Sequence, residues 1–366
     1  MIKSVPMKIE QSFIMALFAA ALCLLLCAGP VNAQERPEDL PPPPPAPTPK
    51  PTPYVPKDSD YDVVRVNSNL VIVPVSVTDA SGQPVTGLGI SDFRLNEEGR
   101  VQEITQIGDP EQVPLEIAIL LDISGSVNAR IDFEKQAAAQ FLKQVLKPTD
   151  RATVFTIGIT PRMELQRASA EAAAAKLRTL QATKGPTAFF DSVVEAARYL
   201  ADSTPAQHRR VIVVISDGED NYSERIKAAI GSTRESQQSA APQTQLAVYN
   251  RAQSAVEREV QRAEAAFYSI NPSGQALKLN VISKRAQDGM ARLASATGGN
   301  SFVPERPEDL DGVFRQIAAE LRSQYLLQYY SKDQTQGTGF RRIRVELPQR
   351  PALRVRARQG YYPRGK

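Results

Sequence analysis

The sequence predicts an α/β protein in which a doubly wound, mostly parallel, Rossmann-like sheet is inserted in a small β-sandwich formed by the N- and C-terminal strands. Short apolar runs alternate with helical segments in the middle of the 366-residue chain. Strand patterns stand at both ends, and each end alone is too short to bury a core. The composition, with 42% hydrophobic and 23% charged residues, is typical of a globular protein. We therefore expect the strands of the two ends to pair with each other in one β-sandwich.

The first 33 residues have the pattern of a bacterial export signal. Lys3 and Lys8 precede an apolar run over 13–28, and VNA before Gln34 resembles a signal peptidase site. We expect residues 1–33 to be a signal peptide. The protein is then periplasmic, on the cell surface or released.

Both cysteines, Cys23 and Cys27, lie in this apolar run, so cleavage would leave a mature chain with no cysteine. That excludes disulfides, thiol nucleophiles and Cys-ligated metals. Two alternatives remain open. The run could stay uncleaved as a membrane anchor, or it could be a lipoprotein signal, although Leu22 and Leu26 stand before the cysteines where small residues are usual.

Residues 34–60 are predicted to be a proline-rich linker. Eleven of the twenty residues over 37–56 are proline. Such a run forms neither helix nor sheet and favours an extended polyproline II spacer.

The segments 61–110 and 324–366 are predicted to be β. NLVIVPVSVTD alternates apolar and polar residues, and DFRLNEEGRVQEI indicates two short strands around Glu98 and Gly99. The C-terminal segment contains the strand patterns QYLLQYYS, FRRIRVELP and ALRVRARQGYY. We expect the two segments to pair in one antiparallel sandwich.

The middle of the chain, 113–323, carries the two periods of an α/β domain. Apolar runs over 115–122, 151–158 and 209–217 lack strict alternation, as expected of parallel strands that are covered on both faces. The segments between them place apolar residues on one helical face. This pattern predicts a doubly wound sheet with right-handed crossovers.

Oxygen-bearing side chains follow three of these predicted strands and loops. Asp122, Ser124 and Ser126 form a DxSxS pattern after the first strand, Asp217 follows the third, and Thr187 precedes a helix. Ligands of open α/β sheets bind where the carboxyl ends of the strands meet. Hydroxyl and carboxylate oxygens suit a hard cation, Mg²⁺ or Mn²⁺, and the absence of His and Cys from this set argues against zinc.

The motifs DISGS, GPTAFFDSV and ISDGEDN resemble the metal-ion-dependent adhesion site of von Willebrand factor type A domains. The resemblance implies that Ser124 and Ser126 bind the metal directly and that Thr187 does so in one conformation. It implies that Asp122 and Asp217 act as carboxylates, often through water.

This resemblance covers 113–323. The flanking segments resemble the exported von Willebrand factor type A-related proteins described in Acidobacteria.

The resemblance implies a binding protein whose metal accepts an acidic residue from a partner protein, and not an enzyme. One alternative is an envelope assembly scaffold in which the metal is structural. The other is a metal-assisted hydrolase, which needs a general base near the ion; Glu219, Asp220 and Asp191 are the candidates.

Charge is distributed unevenly along the chain. The totals, 44 basic and 40 acidic residues, give no reason to expect nucleic acid as a partner, but nine basic residues and one acidic residue stand between Arg341 and Lys366. Arg354, Arg356 and Arg358 alternate and are expected to share one strand face. Two interpretations stay open: a solvated sheet edge, or contact with anionic envelope lipid or polysaccharide.

Overall fold

All residues described below belong to one unit of the chain, Val66–Lys366. The computed structural model describes residues 70–124, 131–183, 185–231, 239–273, 281–332 and 338–363. The predicted signal peptide (1–33), the predicted linker (34–60), residues 61–69 and the candidate ligand Ser126 lie outside the described residues. Among the described helices, none is both long enough and apolar enough to cross a membrane.

Three sheets account for the strands of the described residues. In chain order the strands are β1 (Leu70–Thr78), β2 (Arg94–Glu97), β3 (Arg100–Gln102), β4 (Ile104–Gly108), β5 (Leu115–Asp122), β6 (Arg151–Ile157), β7 (Arg162–Ala168), β8 (Arg209–Ile215), β9 (Ala265–Ile270), β10 (Ser301–Phe302), β11 (Tyr325–Tyr330), β12 (Arg341–Glu346), β13 (Arg354–Ala357) and β14 (Gly360–Tyr361).

The central sheet has six strands in the order β10-β9-β8-β5-β6-β7. Neighbouring strands are parallel except at the edge, where β7 runs antiparallel to β6. Every residue of β5 and of β8 is buried, because helices cover both faces of the sheet. That double burial explains why these strands are continuous apolar runs.

Seven helices of the described chain pack on the two faces of this sheet. They are α1 (Ile131–Val145), α2 (Ala170–Thr179), α3 (Phe189–Ser203), α4 (Glu224–Ile230), α5 (Pro242–Arg262), α6 (Val281–Thr297) and α7 (Leu310–Arg322). Helices α1, α2 and α7 share one apolar core with the sheet. Helices α3 to α6 share a second core on the opposite face. This is the predicted doubly wound α/β fold.

Two antiparallel sheets flank the α/β domain, with the orders β13-β1-β11-β4 and β14-β12-β2-β3. Each combines strands from both ends of the chain: β1 pairs with β11 on one side and with β13 on the other, and β2 pairs with β12. The tight turn between β2 and β3 lies at Glu98 and Gly99, both at positive φ (48° and 76°). The predicted fold class is thus confirmed, and the domain boundaries stay predictions.

The two flanking sheets pack face to face around a common core of apolar side chains. The centre of this core includes a carboxylate, Glu97, which is 1% exposed. Its oxygens accept hydrogen bonds from the hydroxyls of Tyr329 (2.6 Å) and Ser331 (2.7 Å), and Arg341 lies 3.4 Å away as an ion-pair partner. A buried carboxylate needs such partners. Glu97 therefore ties N-terminal β2 to the C-terminal strands.

The sandwich joins the α/β domain through two of the arginines that the sequence places on one strand face. Arg356 forms an ion pair with Glu320 of α7, which also accepts a hydrogen bond from Tyr268 (2.8 Å). Arg358 pairs with Glu264 at 2.8 Å and donates to the carbonyl of Ile72 at 3.0 Å.

The alternating arginines of this segment therefore do not form one solvated face. Arg354 is exposed, whereas Arg358 is buried and Arg356 is engaged with a buried glutamate. Local strand alternation could not reveal this difference, because the carboxylate partners come from distant helices and turns.

Candidate metal centre

Four of the five predicted site residues, Asp122, Ser124, Thr187 and Asp217, lie at one edge of the central sheet. Strands β5, β6, β8 and β9 are parallel, so their carboxyl ends meet at that edge. β5 ends at Asp122, and Asp217 lies two residues beyond the end of β8. The sheet topology therefore positions the two predicted acidic residues on adjacent strands.

Asp122 is a fully buried carboxylate, with 0% exposure. One oxygen accepts the backbone N–H of Ser124 at 2.9 Å, and the other accepts the hydroxyl of Ser216 at 2.7 Å. Burial raises the pKa of Asp122, and the hydrogen bonds from Ser216 and Ser124 oppose that rise. No basic side chain of the described residues forms an ion pair with it. A buried carboxylate in this state favours a nearby cation.

Ser216 belongs to this centre but not to the predicted set. Its buried hydroxyl donates to Asp122 and accepts the N–H of Gly218 at 3.0 Å. Ser216 thereby joins the turn that follows β5 to the turn that follows β8. In the sequence it is one more small polar residue before a turn, and its role depends on a partner 94 residues away.

Thr187 is 7% exposed and lies in the loop before α3. Its N–H donates to the side-chain oxygen of Asn221 at 2.8 Å, and its carbonyl accepts the N–H groups of Asn221 and Tyr222 at 3.1 Å each. The next residue, Ala188, donates to the carbonyl of Gly158 at the end of β6 (2.8 Å). The Thr187 loop is therefore fixed to the turns that follow β6 and β8.

Asp217 is partly buried. One oxygen accepts the N–H of Glu219 at 3.0 Å, which closes a turn around Gly218. Gly218 has a φ of +76°, and a Cβ there would lie 2.8 Å from the sulfur of Met290. This turn therefore requires glycine. Ser124 is 2% exposed and lies two residues beyond the end of β5.

Residues 117–219 match the family model described as the von Willebrand factor type A domain. The chain contains a von Willebrand factor type A domain. The matched range includes β5 from Ile117 onwards, together with Asp122, Thr187 and Asp217.

Several solved structures resemble the chain. A von Willebrand factor type A protein from Catenulispora acidiphila has 14% identity and a TM-score of 0.42, covering 82% of this chain and 64% of that one. A D319A mutant of the PilB minor pilin from Streptococcus sanguinis has 15% identity and a TM-score of 0.45, with coverages of 61% and 64%. Proximal thread matrix protein 1 from the mussel byssus, with a zinc-occupied MIDAS motif, has 15% identity and a TM-score of 0.42, with coverages of 62% and 49%.

The chain thus spans between about half and two thirds of the length of these three structures. Among curated proteins, no sequence matches it.

The three candidate general bases of the type A domain have contacts that fix the loops. Asp220 accepts the N–H of Phe190 at 2.7 Å and the hydroxyl of Ser223 at 2.5 Å, so it holds the start of α3. Burial raises the pKa of Asp220 to about 6. Asp191 accepts the N–H of Glu224 at 2.8 Å, at the start of α4.

Glu219 is the third candidate base. It accepts the hydroxyl of Ser283 at 2.5 Å. All three carboxylates therefore accept hydrogen bonds that fix loops or the starts of helices.

The donor set of the type A domain fits a hard divalent cation. Its oxygens come from hydroxyls as well as carboxylates, and the described parts of the chain hold no cluster of three or more His, Cys, Asp or Glu side chains. Mg²⁺ and Mn²⁺ accept hydroxyl, carboxylate and water oxygens together.

Proposed function

We propose that the type A domain binds Mg²⁺ or Mn²⁺ at Asp122, Ser124, Ser126, Thr187 and Asp217, and through that ion binds an acidic side chain of a partner protein. The observation that carries the proposal is the Asp122 carboxylate, which is fully buried at the ligand-binding edge of the sheet and has no ion pair with a described basic side chain.

Each residue has a distinct part in this proposal. Ser124 and Ser126 supply hydroxyl ligands, and Thr187 supplies a third from a loop held by Asn221. Asp122 and Asp217 supply negative charge, which Ser216 helps to position at Asp122. The ion, when bound, supplies a site of positive charge that an outside carboxylate can complete.

The test of metal binding is calorimetric titration of Mg²⁺ and of Mn²⁺ into the purified protein. Asp122→Asn keeps the shape of the side chain and removes its charge, and we expect affinity to fall at least about ten-fold. Glu219→Gln is the matched control, because it removes one charge from the same edge outside the ligand set. Equal affinities for wild type and Asp122→Asn would reject the site.

The test of partner binding is a crosslinking pull-down from the native envelope, with and without EDTA. We expect EDTA to release a specific protein, and Asp122→Asn to lose the same protein without EDTA. If EDTA lowers thermal stability but leaves the recovered proteins unchanged, the scaffold with a structural metal is the better interpretation.

We propose further that the protein acts outside the cytoplasm, after removal of residues 1–33, and that it is a binding protein and not an enzyme. The apolar run behind Lys3 and Lys8 supports export. The loop contacts of Asp191, Glu219 and Asp220 leave each candidate base with a structural task. Contact of the basic C-terminal strands with anionic envelope components also remains a proposal.

A further inference from the structure

A second concave site lies away from the metal edge, between helix α5 and strand β12 of the sandwich, with the residues on either side of β14 also lining it. This cleft has a volume of about 780 Å³. Its α5 residues, Ser254 to Gln261, belong to the end of the helix that leads into the start of β9. The cleft therefore lies near the end of the parallel sheet where β9 begins, and the metal centre lies at the opposite edge.

The cleft carries positive charge that its own acidic residues do not neutralise. Two glutamates line it, but Glu257 pairs with Arg292 at 3.4 Å and Glu346 pairs with Arg344 at 2.8 Å. Arg258 and Arg342 also line it.

Both of these arginines are exposed, and neither forms an ion pair with a carboxylate of the described residues. Two guanidinium groups, one from each wall, are therefore available to an anionic ligand. Guanidinium groups bind carboxylate, sulfate and phosphate with paired hydrogen bonds.

Two aromatic rings stand at the same cleft. Phe340 and Tyr362 lie with their ring centres 5.2 Å apart, and both are only partly buried. The guanidinium of Arg262 lies over the Tyr362 ring, 5.1 Å from its centre. Amide side chains, including Asn96 and Gln359, add hydrogen-bonding groups to the lining of the cleft. An apolar ring face, amides and cations together suit a ring-shaped, hydroxylated and anionic ligand.

We propose that this cleft binds an anionic oligosaccharide, with Arg258 and Arg342 on its acidic groups and Phe340 and Tyr362 against the apolar face of a sugar ring. The proposal does not depend on the metal-dependent function, because the cleft shares no residue with the metal centre. The concave form favours a saccharide chain over a lipid surface, since a flat bilayer cannot reach arginines on facing walls.

The test is titration of the full chain, purified after export, with oligogalacturonate and with a heparin oligosaccharide, both in EDTA. We expect binding to at least one of them and none to neutral malto-oligosaccharide. Arg258→Gln and Arg342→Gln should each weaken binding by about ten-fold or more, as loss of a charge-assisted hydrogen bond predicts. Tyr362→Leu should weaken binding too, while thermal unfolding shows that each variant is folded.

Arg354→Gln is the matched control, since Arg354 is exposed on neighbouring β13 and lies outside the cleft. An equal loss in Arg354→Gln would overturn the proposal, because the effect would then be one of net charge. It would also be overturned by binding to phosphatidylglycerol vesicles without binding to either acidic oligosaccharide, or by equal affinity for inorganic phosphate. Binding that is absent in EDTA and appears only when Mg²⁺ replaces it would also overturn the proposal, because it would assign the ligand to the metal centre.

Discussion

Replacement of Arg341 tests whether the two ends of the chain hold one sandwich together. Arg341 is the ion-pair partner of Glu97, a carboxylate that is 1% exposed in the sandwich core. Arg341→Met keeps most of the volume of the side chain and removes its charge. The hydroxyls of Tyr329 and Ser331 still donate to Glu97, so part of the stabilisation of the carboxylate remains.

Removing one partner of a buried ion pair costs about 3–5 kcal/mol. Because two hydroxyl donors stay in place, we expect Arg341→Met to lower the free energy of unfolding by about 3 kcal/mol. Urea unfolding followed by circular dichroism measures this loss.

The exposed neighbour on β12 supplies the control: Arg342→Met should change stability by less than about 0.5 kcal/mol. The double variant with Glu97→Gln should recover much of the loss, since a neutral amide does not need a cation. If Arg341→Met is no more destabilising than Arg342→Met, the reasoning about the buried pair is wrong.

Three other perturbations test the fold and the loops of the candidate site. Deletion of residues 324–366 removes both neighbours of β1, so limited proteolysis should then digest β1 to β4; a protected N-terminal fragment would contradict the shared sheets. Gly218→Ala should cost about 1–3 kcal/mol, because of its positive φ and the 2.8 Å approach to Met290; Gly99→Ala, at the same φ with open space around it, should cost less in the same thermal unfolding assay. Burial raises the pKa of Asp220 from 3.8 to about 6, so the folded state holds this proton more tightly than the unfolded state does. The free energy of unfolding in EDTA should then fall by about 3 kcal/mol as the pH rises from below 4 to above 6, and Asp220→Asn should flatten that slope; an unchanged slope would show that another group is responsible.

The elements that the sequence predicts best are those that are buried on both faces. All residues of β5 and β8 are buried, so their apolar runs stand out without any knowledge of their neighbours. The edge strand β7 was not predicted. It is only partly buried and four of its seven residues are polar. It also pairs irregularly with β6, and Arg167 within it has a positive φ of 39°. Such a strand depends on its neighbour more than on its own residues.

In the candidate site, too, some features could be predicted from the local sequence and others depend on distant parts of the chain. That Asp122 and Asp217 end up at one edge could be predicted, because parallel strands end on the same side of a sheet. The contribution of Ser216 could not, since its hydrogen bond to Asp122 joins two distant turns. The internal ion pairs of Arg356 and Arg358 were equally hidden, because Glu320 and Glu264 approach them only in the folded chain.

The position of β1 also determines the order in which this chain can be completed. A ribosome makes β1 first, yet both strands that hydrogen-bond to it come from the last part of the chain. The α/β domain connects strands that are close in sequence, so it can fold before the last strands are made. Val73 and Val75 of β1, which are buried in the folded protein, remain exposed until then. In a chain that stops before β11, the backbone hydrogen-bonding groups on both edges of the apolar strand β1 lack their strand partners. Such a strand is prone to aggregate. Only a chain that includes β11 and β13 covers both edges of β1.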